Sequence, residues 1–109
     1  MNSQGKPVVT VSQVNRLAAM LFKNEQRLAD VYVKGEISNF TNHYKSGHLY
    51  FSLKDNISAI KAVMFAGNAK GLRYELYDGL SVIVRGSVQV YEQGGIYQLY
   101  TAEIVPEGI

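Results

Sequence analysis

The 109-residue sequence predicts a mainly β fold: five short strands closing a Greek-key barrel, with an amphipathic helix in front and a short helix between strands 3 and 4. Three observations carry that prediction. The hydrophobic period is 3.6 as far as Phe22 and becomes 2 from Asp30 onward. The alternation breaks once, between Asn68 and Gly79, where it gives way to a cap residue and turn formers. Short turn segments separate the alternating stretches, most plainly Glu92-Gln93-Gly94-Gly95, whose glycines supply the positive φ of a tight hairpin.

The elements follow in order. Residues 1–9 read as a tail, and residues 10–109 as a single domain whose first helix covers about 10–28. Thr10 is placed to cap that helix, with Gln13 as its capping-box partner. Val14, Leu17, Ala18, Leu21 and Phe22 form its apolar stripe, and Arg16, Lys23 and Arg27 its wet side. Strand 1, "VYVKGEISNF", contains Gly35, which predicts a bulge or sharp bend. A polar loop, "TNHYKSG", leads to strand 2, "HLYFSLKD". Strand 3, "SAIKAVMFAG", follows across Asn56-Ile57 as a hairpin partner. The segment "NAKGLRYELYDG" reads as a short helix capped by Asn68, then a loop. Strands 4 and 5, "LSVIVRGSVQVY" and "IYQLYTAEIV", close the set, and Pro106 ends the pairing. A helix after the third of five strands is the layout of the OB-fold, whose outer face on strands 2 and 3 often binds oligonucleotides or oligosaccharides. An SH3-like or other small barrel also uses short curved strands, and the helix favours the OB-fold.

Composition narrows the function. A chain of this length with 47% hydrophobic residues builds one core, not two. The absence of cysteine removes disulfides, a thiol nucleophile and cysteine-ligated zinc, and suits a reducing, cytoplasmic setting. No apolar run approaches the roughly 20 residues of a membrane-spanning helix, so no membrane partner is expected. Net charge is only +2, but it is unevenly distributed. Residues 34–85 hold seven Lys/Arg against four acids, whereas residues 86–109 hold three Glu and no base. A positive middle and a negative end suggest a polarised surface, although scattered lysines also keep any domain in solution.

The candidate binding residues lie in the positive middle. If Leu49, Phe51 and Leu53 fill the barrel, then His48, Tyr50, Ser52 and Lys54 stand outside, beside Lys61, Val63 and Phe65 of strand 3. Tyr50 and Phe65 would stack bases while Lys54 and Lys61 neutralise phosphates, the combination that holds single-stranded nucleic acid. Equally, both rings could pack under the N-terminal helix or against a partner domain. The loop between strands 1 and 2 adds Phe40, His43, Tyr44, Lys45 and His48. Phe40 reads first as an inward anchor and second as a stacking ring. Arg85, beside Gly86, adds a cation on strand 4, either for a ligand or simply solvated at a bend. No catalytic motif and no metal-ligand spacing is present, so neither catalytic residues, a metal nor a cofactor is expected.

Taken in order and spacing, "TVSQVN", "VYVKGEISNF", "SGHLYFSLKD", "AVMFAGNAKGL", "VIVRGSVQVYEQGGIYQLY" and "PEGI" resemble the N-terminal OB-fold domain of the bacterial exodeoxyribonuclease VII large subunit. The resemblance runs from about Val9 to Ile109. The family's motifs fall on Gly35–Phe40, Ser46–Asp55 and Val84–Gly86. It implies a module that binds single-stranded DNA for a cytoplasmic nuclease. That nuclease degrades DNA from both ends to oligonucleotides and works with several small subunits held elsewhere on the parent chain. It also implies that catalysis belongs to a following domain and that these residues alone do not cleave DNA. The DNA-contacting residues expected here, Tyr50, Lys54, Lys61, Phe65, His48, Lys45 and Arg85, come from the barrel pattern and not from the resemblance. An RNA-binding OB domain, or a docking module that meets a nuclease domain or a second copy, are the alternatives.

Overall fold

A computed structural model of the chain describes residues 1–108; Ile109, the end of the predicted "PEGI" segment, lies outside the described residues. The elements are α1 (Val11–Lys23), α2 (Gln26–Ala29), β1 (Val31–His43), β2 (His48–Lys54), β3 (Ala59–Met64), α3 (Ala66–Ala69), β4 (Ser81–Tyr91) and β5 (Ile96–Pro106). The strands close in the order β1-β2-β3-β5-β4, with β3 and β5 parallel and every other neighbouring pair antiparallel. This is the predicted barrel. Leu49, Phe51 and Leu53 of β2 are buried as the alternation requires, and they share the core with Ile37, Met64 and Leu99.

β1 serves two neighbours. Its first half, Val31–Glu36, pairs with β4, and from Glu36 to His43 it pairs with β2. Gly35 sits at this changeover, where a Cβ would come within 2.7 Å of Leu53 Cγ. The expected bulge lies further on. Ser38 faces Ser52 and Thr41 faces Tyr50, so β1 carries one extra residue across Asn39 and Phe40. Asn39 takes a φ of 51°, and the Phe40 N–H donates to Asp78 Oδ1 at 2.8 Å. Past the bulge β1 stays paired as far as His43, so the predicted loop from Thr41 shrinks to a turn over residues 44–47. Phe40 is half-buried against the core, the inward anchor that was its first reading.

At Gly86 the two strands approach closely and their ladder bulges. A Cβ there would overlap the Tyr100 carbonyl oxygen. The extra residue belongs to β5: Arg85 faces Glu103 while Gly86 faces Thr101, leaving Ala102 over.

Two expectations about helices need correction. The capping box is present, with the Gln13 N–H donating to Thr10 Oγ1 at 3.1 Å and the Thr10 N–H to Gln13 Oε1 at 2.8 Å. However, of the predicted stripe only Ala18 and Phe22 face the barrel, while Val14, Leu17 and Leu21 are more than half exposed. α1 rests on the barrel through Asn15, Ala18, Ala19 and Phe22, roughly a quarter-turn away. The reason is the β4–β5 hairpin: Asn15 Nδ2 donates to the Glu92 carbonyl at 2.8 Å, and Phe22 stacks on Tyr97 with ring centroids 5.6 Å apart. The second correction concerns α3. Asn68 lies inside this helix, with its Nδ2 directed at the Thr101 carbonyl at 3.4 Å; Phe65 is the N-cap residue. The Ala66 N–H is satisfied by His48 Nδ1 at 2.9 Å, so no side-chain cap from the helix itself is needed.

Candidate nucleic-acid interface

The outer face of β2 and β3 is built by register. Tyr50 lies opposite Val63, Ser52 opposite Lys61 and Lys54 opposite Ala59; Val63 in turn neighbours Tyr100 of β5. Val63 is only 3% exposed between the two tyrosines, so it is the floor of the face and not part of its surface. The rings beside it connect. His48 meets Phe65 edge-on at 5.1 Å and Tyr50 at 6.5 Å, and Phe65 lies 5.9 Å from Tyr100. Tyr50 and Phe65 are 43% and 47% exposed, large values for aromatics on a barrel wall. They do not pack under α1, which lies against β4 and the hairpin.

His48 has a second task. Because its Nδ1 accepts the Ala66 N–H, the neutral ring carries its proton on Nε2, and the imidazole is braced between strand and helix. It therefore orients Phe65. Tyr100 is a member that alternation alone did not single out, since its place depends on the parallel pairing of β3 with β5. Its hydroxyl accepts from Gln98 Nε2 at 3.0 Å.

Lys54 and Lys61 stand exposed on this face, and Lys45 lies in the turn after β1; among the described residues none of the three makes an ion pair. Arg85 is elsewhere. It lies on the β1–β4–β5 flank, where Nε and Nη2 donate to Asp30 at 2.9 and 3.1 Å, Nη1 donates to Glu103 at 3.2 Å, and the guanidinium sits 5.9 Å over the Tyr32 ring. Hydrogen bonding to Asp30 raises the Arg85 pKa, and the same bond lowers that of Asp30. The structure thus brings Tyr50, Phe65, His48, Lys54 and Lys61 together, sets Lys45 at their edge and leaves Arg85 apart. Among the described residues, no cluster of three or more His, Cys, Asp or Glu is placed to hold a metal, and no helix is long and apolar enough to cross a membrane.

A closed barrel of this topology, with an aromatic and basic wall on β2 and β3, defines an OB-fold nucleic-acid-binding domain. The family model described as an OB-fold nucleic acid binding domain matches residues 9–105, and the chain belongs to that family. Curated relatives that it matches include exodeoxyribonuclease 7 large subunits, in line with the resemblance seen in its motifs. It is 48% identical over 102 residues to that of Brevibacillus brevis, covering 94% of this chain and 22% of the relative. With that of Moorella thermoacetica the identity is 52% over 105 residues, covering 94% and 26%. The chain spans about a quarter of the length of these relatives. Two solved structures share the fold. A chain of a replication protein A heterotrimer bound to ssDNA superposes with a TM-score of 0.58 at 13% identity, covering 72% of this chain and 57% of that one. Asparaginyl-tRNA synthetase from Pyrococcus horikoshii gives 0.56 at 19% identity, covering 76% and 20%.

Proposed function

We propose that this domain grips single-stranded DNA for a nuclease of the exodeoxyribonuclease VII type, with Tyr50 and Phe65 as stacking rings and Lys54, Lys61 and Lys45 as phosphate partners. The observation that carries the proposal is the connected patch His48–Phe65–Tyr100, with Tyr50 beside it: Tyr50 and Phe65 are exposed, and the lysines of this face make no ion pair among the described residues. Rings offer bases a sequence-tolerant surface, and unpaired lysines release counterions when phosphates replace them. The relatives' name supports a DNA substrate, and a protein of the same fold bound to ssDNA supports the single strand. In this reading the domain performs no cleavage itself. The hydrolytic residues, the bidirectional action and the small-subunit contacts belong to other parts of a longer cytoplasmic protein, and self-association through the aromatic face is not required.

The test is fluorescence anisotropy with a labelled oligo-dT of about 15 nucleotides, using duplex DNA and an equal-length RNA as competitors. Salt-sensitive binding that prefers the DNA single strand is expected, with Tyr50→Ala and Phe65→Ala each weakening it about tenfold. Stronger competition by RNA would move the domain to the RNA-binding class. No binding at low salt, together with a dimer in sedimentation, would favour a docking role.

A further inference from the structure

We infer that the bound strand leaves the β2–β3 face through the cleft between the β1–β2 turn and α3, rather than over the β4–β5 hairpin, and that this cleft holds one further nucleotide. This rests on the reading of the face as a single-strand grip. The cleft measures about 670 Å³, within the range that encloses a small organic ligand. Tyr44, Lys45, Lys70 and Tyr74 line it, Leu49 forms part of its floor, and Glu75 is its one acid. Tyr44 is 88% exposed, an aromatic with little to pack on. Lys45 and Lys70 make no ion pair among the described residues. A cleft with room for a nucleotide, aromatic walls and two ammonium groups unpaired among the described residues is complementary to a base and its phosphate.

The cleft is also connected to the face. Phe65, the last ring of the aromatic patch, is the N-cap residue of α3, whose C-cap residue is Lys70. Between patch and cleft stand Gly47 and Ala66, close enough that a Cβ on Gly47 would come within 3.2 Å of the Ala66 Cβ. Neither has a side chain beyond a methyl group, so the divide is a low saddle that a strand can cross. At the opposite exit the groups are already engaged within the protein. Arg16 neutralises Glu92 at 3.8 Å, Asn15 holds the hairpin's backbone, and Phe22 stacks on one face of Tyr97, a ring that is otherwise 55% exposed.

The experiment is a ladder of labelled oligo-dT from about 4 to 15 nucleotides, titrated against the wild-type domain and the double variant Tyr44→Ala, Lys70→Ala. Both residues are exposed, and a thermal melt of the variant is the control for its folding. The expected result is unchanged affinity for the shortest oligomers that bind, about a tenfold loss for the longest, and a salt dependence shallower by about one counterion. Tyr97→Ala, at the opposite exit, should leave the ladder unchanged. Wild-type binding with an unaltered ladder in the double variant would overturn this exit while leaving the single-strand grip intact. A Tyr97→Ala loss at long lengths would send the strand the other way. A wild-type domain that binds no oligomer would remove both proposals.

Discussion

The two flanks of the barrel treat their charges in opposite ways. On the flank formed by α1, β1, β4 and β5, each acid of residues 86–109 has a cation: Glu92 has Arg16, Glu103 has Arg85 and Glu107 has Lys34, at 3.8, 3.2 and 2.9 Å. On the β2–β3 flank and the turn beside it, Lys45, Lys54 and Lys61 have none among the described residues. The negative end of the sequence is therefore neutralised by cations from elsewhere in the chain, and part of the positive middle remains uncompensated. Exposed ion pairs contribute little to stability and are screened by salt. Their greater effect here is on where the field goes: pairing on one flank leaves the uncompensated positive charge on the other, the flank proposed to meet the strand.

That contrast can be broken by substitution, and the largest effect is structural. Gly86→Ala would force a methyl group into the Tyr100 carbonyl at the centre of β4 and β5 and should cost about 2–4 kcal/mol, read as a lowered denaturation midpoint. If stability held, the close packing of these two strands would not be what shapes the barrel. Next comes a paired measurement of binding. The double variant Lys54→Ala, Lys61→Ala should weaken oligo-dT binding several-fold and flatten its salt slope by about two, with melting unchanged. Arg85→Ala should do the reverse, lowering the melting temperature modestly with affinity preserved. Equal losses of affinity from both would mean that the ion-paired flank also touches the strand.

Acid provides a subtler separation. Hydrogen bonding to the Arg27 side chain holds the Glu25 carboxyl down at about 2, from an ordinary 4.5, and Arg85 lowers Asp30 in the same direction. A carboxyl whose folded pKa is depressed adds stability above its unfolded value and loses it as pH falls through the folded one. Stability should therefore decline between about pH 4.5 and 2, and Asp30→Asn should flatten part of that decline in pH-dependent melts. The smallest effect is expected on α1, where Leu17→Ala should change stability by no more than about 0.5 kcal/mol, since the side chain is already in water. A clearly larger loss would show that the helix packs more deeply than its exposure indicates.

Much of this was legible in the sequence because it depends on local periodicity. Alternation gave every strand, the capping box gave the start of α1, and Leu49, Phe51 and Leu53 gave the inward face that sets Tyr50 outward. What escaped depended on partners distant in the chain. The face that α1 buries is chosen by Glu92 and Tyr97, about 77 residues away in the Asn15 bond, and no helical stripe encodes that. Tyr100 joins the aromatic patch only through parallel pairing with Val63. Asn68 looked like a cap until His48, twenty residues earlier in the chain, supplied the acceptor to Ala66. The ion pairs of Arg85 likewise join residues 30, 85 and 103, a triangle that composition by segment could not draw.

Glu36 is the residue whose backbone faces both Lys54 of β2 and Ser81 of β4. One strand thus stitches the two flanks together, and neither can fray far without loosening the other. A strand of DNA that held only β2 and β3 would, through this shared seam, slow amide hydrogen exchange in the first half of β1 and along β4, on the side of the molecule it never touches. The protection it confers would report the cooperativity of the barrel as well as its own footprint.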